Sequence, residues 1–257
     1  MKIKILGAHN SESTRTKQTA ILIDDVLALD AGALTSTLSF RAQMKIKAVL
    51  LTHGHYDHIR DVPALAMNFF LRNRSFSIYT HRAAGDNLIQ FLSNGDIYPR
   101  FHERPEENPT IRMKILEPLQ QVSVEGYSVM PVAVNHSIPA MGYQIISTSE
   151  QKTVFYTGDT GTSLSAIWQY VKPDLLIIEV TASNQWAEYA AKVGHLAPVL
   201  LEQELLNFRE IKGYLPEVIA VHLNPLNEKD LIKELAAVAQ TLGTRITPAH
   251  EGMVINL

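Results

Sequence analysis

The chain has 257 residues, 46% of them hydrophobic, a net charge of −3 and no cysteine. Length and apolar content suffice for one large α/β domain over residues 1–257, and no linker-like shift in composition divides it. The charge argues against a general nucleic-acid surface or a polybasic membrane patch. The absence of cysteine excludes disulfides and thiolate ligands, so any metal must sit on histidine and carboxylate side chains.

Lys2–Leu6 alternates as a strand and lacks the apolar stretch of a signal peptide. No apolar run approaches the roughly 20 residues that span a bilayer, so the expectation is a cytoplasmic protein with no membrane partner. Thr19–Ile23 and Val26–Asp30 are β-rich and hinge at Asp24-Asp25. Lys47–Leu51 has the short apolar pattern of a strand buried on both faces, and it leads directly into Thr52-His53-Gly54-His55-Tyr56-Asp57-His58. Helical character follows at Asp61–Leu71, a strand at Phe76–Tyr79 and an amphipathic helix at Ala83–Leu92. Gly95 to Pro109 is polar, holds Pro99, Pro105 and Pro109, and reads as a long excursion or lid. Strands are expected at Arg112–Leu116, Val122–Val124, Ser128–Val134, Tyr143–Ile146 and Thr153–Tyr156.

Beyond Gly158 the pattern changes to alternating helix and strand. Helices are expected at Leu164–Tyr170, Pro198–Phe208 and Glu228–Leu242, the last with Leu231, Leu235, Val238 and Leu242 on one stripe. Strands fall at Leu175–Val180, Val218–Val221 and Met253–Ile255. Many early strands followed by βα units suggest two sheets packed face to face with helices outside.

His53, His55, Asp57 and His58 place four candidate metal ligands within six residues at a strand end, where α/β folds tend to place ligands. A turn there can aim His53 and His55 at one ion and Asp57 and His58 at another; nitrogen and carboxylate oxygen suit zinc, and also manganese or iron. His136, Asp159 and His222 follow later strands and are further candidates. A carboxylate at Asp159 can bridge two ions about 3.5–4 Å apart. His250 precedes the final strand and could contact substrate, replace His222 as a ligand, or simply pack. His9 and His102 read as solvated, His81 has no partner pattern, and Trp168 and Trp186 read as core or interface residues.

Leu29-Asp30-Ala31-Gly32, the His-x-His-x-Asp-His cluster, His136, Gly158-Asp159-Thr160 and His222 together resemble the metallo-β-lactamase superfamily over nearly the whole chain. The resemblance implies an α/β fold, an αββα four-layer sandwich with two mixed sheets flanked by helices. It assigns His53, His55 and His136 to a first metal and Asp57, His58 and His222 to a second, with Asp159 bridging. Gly194-His195-Leu196-Ala197-Pro198, the Leu205-Leu206 pair, His58-Ile59-x-Asp61-Val62-Pro63 and Val221-His222-Leu223-Asn224-Pro225 look like the phosphodiesterase branch, which includes class II cyclic-nucleotide phosphodiesterases and tRNase Z. In that branch the residue matching His195 protonates the leaving oxygen. The implied activity is a binuclear, zinc-first hydrolase of a small nucleotide such as a 3′,5′-cyclic nucleotide, with Asp57 holding the attacking hydroxide. A homodimer is implied, and nucleic acid is not the expected partner. A tRNase Z-like nuclease and a glyoxalase II or lactonase-type hydrolase are the alternatives.

Overall fold

The computed structural model describes residues 1–257. β1 (Lys2–Gly7) pairs antiparallel with β2 (Ala20–Ile23), and a tight turn joins β2 to β3 (Leu27–Leu29). Asp24 and Asp25 both take left-handed angles there, φ 47° and 63°, as the central residues of a strand-twist-matching hairpin turn do. Two short helices, α1 (Leu34–Thr37) and α2 (Phe40–Gln43), lead to β4 (Ala48–Leu50). After β4 come α3 (Tyr56–Ile59), α4 (Val62–Phe70), β5 (Phe76–Thr80), α5 (Arg82–Asn87) and β6 (Ile111–Ile115). The second half runs β7 (Val122–Val124), β8 (Tyr127–Val134), β9 (Ala140–Ser147), β10 (Thr153–Tyr156), α6 (Ser165–Trp168) and β11 (Leu175–Glu179). It closes with α7 (Ala187–Val193), α8 (Pro198–Lys212), β12 (Glu217–Val221), α9 (Glu228–Leu242), β13 (Ile246–Pro248) and β14 (Val254–Asn256).

The strands form two seven-stranded mixed sheets, ordered β14-β1-β2-β3-β4-β5-β6 and β13-β12-β11-β10-β9-β8-β7. In each sheet the strands from the chain's βα units run parallel, and the hairpin-connected strands run antiparallel. Alternation along single strands divides the side chains among three cores. Leu175 and Ile177 of β11 face the first sheet together with Ile5, Leu29 and Leu50. Leu176 and Ile178 face outward onto Trp168, Leu201, Leu205 and Phe208 of the helices. On the opposite side, Leu22, Val49 and Ile78 pack against Val62, Leu65 and Phe69 of α4. This is the expected αββα sandwich. The α9 stripe is buried as expected at Leu231, Leu235, Val238 and Leu242.

Local expectations differ in a few places. The helix expected at Ala83–Leu92 splits into α5 and a wider π turn over Leu88–Leu92. α7 and β13 were not legible as elements. The Gly95–Pro109 excursion has no helix or strand, but Phe101 is buried and its ring lies 5.7 Å from Phe70, which pins the segment to the outer core. His102 is half-buried rather than solvated. His9 is buried at 3% exposure, because Glu251 (2.7 Å) and Glu228 (3.4 Å) clasp its two ring nitrogens. No helix is long and apolar enough to cross a membrane.

Candidate metal centre

All seven ligand candidates and Glu179 stand at or past a strand's carboxyl end, whereas His195 lies between α7 and α8. The His53–His58 loop follows β4, His136 follows β8, Asp159 follows β10, Glu179 ends β11 and His222 follows β12. His55 is the residue just before α3, which carries Asp57 and His58. The loop after β3 passes directly beneath: Ala31 N donates to the His58 carbonyl (2.7 Å), and Asp61 N donates to the Ala31 carbonyl (2.9 Å). Gly32 is required there, since a Cβ would sit 2.2 Å from the Asp57 carbonyl oxygen. His222 adopts φ 61°, a left-handed angle uncommon outside glycine and typical of functional sites.

Ligand atoms of His53, His55, His136 and Asp159 all lie within 4.8 Å of one another, and so do those of Asp57, His58, Asp159 and His222. Asp159 belongs to both groups. The two groups thus gather all seven ligand candidates of the sequence. Glu179, His195 and His222 form a third adjoining group. His250 joins none of them: it is exposed, with Nδ1 3.1 Å from the Glu251 carbonyl oxygen.

Hydrogen bonds on the far side of each ring fix which nitrogen keeps a lone pair. Thr52 Oγ1 donates its one hydrogen to Asp30 (2.9 Å), so His53 Nδ1 donates to Thr52 Oγ1 (3.0 Å) and Nε2 is left bare. Thr181 does the same for His222. Its hydroxyl donates to Glu179 Oε2 (2.8 Å) and accepts from His222 Nδ1 (2.7 Å). His136 Nδ1 donates to the Gly194 carbonyl (2.8 Å) and His58 Nδ1 to Asp30 Oδ2 (2.8 Å). Four imidazoles therefore turn lone pairs inward, the arrangement that orients metal-ligating histidines.

Inside, acceptor faces acceptor. His55 Nδ1 lies 3.0 Å from His53 Nε2 and 3.1 Å from His136 Nε2, and a single proton on His55 could satisfy only one of them. His222 Nε2 is 3.2 Å from Asp57 Oδ2 and 3.3 Å from Asp159 Oδ2. His58 Nε2 and Asp159 Oδ1 are 3.2 Å apart but lack hydrogen-bond alignment, which leaves both buried atoms unpartnered. Buried polar atoms without partners are costly. Converging lone pairs and carboxylates fit divalent cations, which would satisfy all of them at once.

The electrostatics agree. Burial lowers the pKa of His53, His55 and His136, with neighbouring histidines adding to it, so these rings stay neutral and able to ligate. Burial also opposes charge on His58, but Asp159, Asp30 and Asp57 outweigh it and hold its pKa well above the ordinary value. That position demands positive charge, from a proton or from a cation. Burial would raise the Asp57 pKa, yet His58 and His222 bring it down to about 2. For His195, burial is overcome by Glu179, 2.7 Å from Nδ1, and the pKa rises to about 9.

Asp30, Glu179, Thr52 and Thr181 carry these orientations; the sequence reading used Asp30 only as part of the Leu29–Gly32 turn and Thr52 only as the residue before the cluster, and gave Glu179 and Thr181 no role. The available signal was a lone carboxylate closing an otherwise apolar strand, as in Leu175-Leu176-Ile177-Ile178-Glu179. Beside His195 opens a cavity of about 350 Å³. A larger one, about 560 Å³, lies at the other end of β4 around Lys45, Lys47 and Arg74 and shares no residue with the centre.

Known proteins share both sequence and shape with this chain. The family model described as the β-lactamase superfamily domain matches residues 19–223. Among curated proteins, ribonuclease Z of Methanosarcina acetivorans is 26% identical over 155 residues, 57% of this chain and 48% of that protein. Ribonuclease Z of Pyrococcus abyssi is 30% identical over 102 residues, 39% of this chain and 31% of that protein. The chain spans half or less of the length of these curated relatives. Yeast PDE1 superposes with a TM-score of 0.86 at 18% identity, over 100% of this chain and 99% of that one. The metallo-β-lactamase fold protein YhfI from Bacillus subtilis gives 0.77 at 20% identity, over 99% of both chains. Human tRNase Z, short form, gives 0.71 at 18%, over 100% and 99%. With the family match running from the start of β2 through His222, the chain belongs to the β-lactamase superfamily and has the metallo-β-lactamase fold.

Proposed function

We propose that this protein is a binuclear metal-dependent phosphodiester hydrolase whose substrate is a 3′,5′-cyclic nucleotide, opened to the 5′-nucleotide. The observation that carries the reading is the pair of ligand groups meeting at Asp159 with a carboxylate-held histidine, His195, at their edge. His53, His55 and His136 would hold one ion and Asp57, His58 and His222 the other, with Asp159 between. Zinc comes first on the donor set, manganese or iron second. Bound divalent ions supply Lewis acidity, easing the ionisation of water and offsetting phosphate charge.

The chain's own residues then divide the remaining work. Asp57, ionised at any neutral pH, accepts a hydrogen bond from the attacking water and sets its direction. Glu179 accepts from His195 Nδ1 and keeps the ring protonated. His195 then gives a proton from its other nitrogen to the departing ribose oxygen, a contribution typically worth about 10²–10⁴-fold. A thioester or lactone hydrolase would keep the ligands but has no need of this acid.

A tRNase Z-like nuclease is the second reading, and the two ribonuclease Z relatives favour it. They also weigh against the expectation that nucleic acid is no partner. The net charge of −3 favours a small nucleotide. The test is chromatographic analysis of the Zn- or Mn-loaded protein with a panel of 3′,5′-cyclic nucleotides and with precursor tRNA, beside His195→Ala. Conversion to 5′-monophosphate, largely lost in the variant at unchanged metal content, is the expected result. Cleavage of precursor tRNA alone would exchange the two readings, and inactivity of fully metallated protein on both would discard them. We also carry forward a homodimer of single-domain chains; a monomeric mass in solution scattering would remove it.

A further inference from the structure

Ten residues line the 350 Å³ cavity beside the metal centre, and two of them, Thr181 and His195, also belong to the centre's hydrogen-bond network. The cavity is therefore continuous with the place where a phosphodiester would react, and its volume suits a small molecule. Its walls are chemically selective. Trp186 and Tyr189 stand on it with 54% and 64% of their surface exposed. Trp186 immediately precedes α7 and Tyr189 lies in its first turn, so the two aromatic side chains stand at the same end of that helix.

Opposite in character are three carboxamides, Asn10, Asn224 and Asn227. The Asn224 side-chain oxygen is engaged by Leu226 N (3.0 Å), which leaves the amide's N–H groups free to donate. The Asn227 side-chain oxygen has no hydrogen-bond partner and remains an acceptor in need of one. Apart from His195 the lining holds no carboxylate and no basic side chain; Thr181, Ala182, Ala190 and Val193 complete it. Beyond His195 a carboxylate or second phosphate would find no countercharge there, and an aliphatic chain would leave the amides idle. A flat ring with donors and acceptors on its edge uses both kinds of wall.

We propose that this cavity is a nucleobase subsite, in which Trp186 and Tyr189 stack on the base while Asn224 and Asn227 bind its edge. The proposal rests on the phosphodiesterase reading for what the base is attached to, and it makes Trp186 and Tyr189 specificity determinants of that site.

Trp168 is fully buried, so Trp186 is the tryptophan a ligand in the cavity can touch. The experiment titrates Zn-loaded protein with GMP, AMP and ribose 5-phosphate, following tryptophan fluorescence and, in parallel, heat of binding. GMP and AMP should quench the emission, and ribose 5-phosphate should bind far more weakly with no quenching. Trp186→Ala and Tyr189→Ala should each weaken nucleotide binding about 5- to 150-fold by calorimetry, the range of one base–aromatic stack. Tyr189→Phe should bind as the wild type does. Equal binding of ribose 5-phosphate and GMP, no nucleotide binding at all, or alanine variants with wild-type affinity would each overturn the subsite.

Hydrolysis of methyl p-nitrophenyl phosphate by the wild type, measured alongside, separates this failure from that of the underlying reading. Turnover without nucleotide selectivity removes the subsite alone. Base-dependent quenching without turnover removes the hydrolase reading and keeps the subsite.

Discussion

Asp30→Asn changes one buried oxygen from acceptor to donor and tests how His58 is presented to the centre. Asp30 Oδ1 accepts from Thr52 N (2.8 Å) and Thr52 Oγ1 (3.1 Å), while Oδ2 lies 2.9 Å from Thr52 Oγ1 and accepts from Tyr156 OH (2.6 Å) and His58 Nδ1 (2.8 Å). An asparagine can keep its carbonyl towards Thr52, so the chain Thr52–His53 survives. Its amide N–H groups then confront Tyr156 and His58. The tyrosine hydroxyl can rotate and accept. The imidazole can accept only by moving its proton to Nε2, the atom that must offer a lone pair inward. Loss of such a supporting partner typically costs 10–100-fold in metal affinity, or about 1.4–2.7 kcal/mol. We expect one ion retained near wild-type affinity at His53, His55 and His136, and the second weakened by that factor. Metal content after dialysis against graded chelator measures both, with circular dichroism confirming the fold. Two ions bound at wild-type affinity in Asp30→Asn would refute the tautomer argument.

Activity that needs protonated His195 should fall as pH rises past about 9, and Glu179→Gln should move that alkaline limb to lower pH; an unmoved limb would remove His195 from the titration. Gly194→Ala forces a left-handed residue (φ 81°) and sets a Cβ 2.9–3.1 Å from the backbone of His136 and Ser137. Thermal unfolding should show a loss of about 1–3 kcal/mol, and a variant as stable as the parent would contradict that packing. Burial lowers the His9 pKa, but Glu251 and Glu228 raise it further, for a net increase above 6.5. A raised folded pKa stabilises fully below the unfolded value and fades as pH climbs through the folded one. Denaturation of His9→Gln against wild type should therefore differ most at acidic pH and converge above neutrality; a constant difference would rule out the linkage.

The centre was legible because its densest part is local. Four ligands in six residues after an apolar strand form a pattern of sequence spacing, and strand ends marked His136, Asp159 and His222. What orients those ligands was not legible. Asp30 reaches Thr52, His58 and Tyr156, and Glu179 reaches Thr181 and His195, through contacts made only once the strands are aligned. β13 escaped notice for the same reason. Its three residues become a strand only through parallel pairing with Val218, Ile219 and Ala220 of β12. His9 read as solvated because its carboxylate partners lie more than 200 positions away. Trp186 was assigned to core or interface from residue type alone, and its exposure beside the centre removes the core reading.

The ligand groups straddle the seam between the sheets: the β4 loop brings four residues from one sheet, and β8, β10 and β12 bring three from the other. A cation held by either group is thus a rivet joining two halves otherwise united by an apolar layer and a few hydrogen bonds such as Tyr156 to Asp30. Its binding energy enters the cohesion of the sandwich directly, adding about 4 kcal/mol when free ion exceeds its dissociation constant a thousandfold. Neither half could then peel away alone without releasing an ion, so starving the protein of metal would loosen its architecture as well as its chemistry.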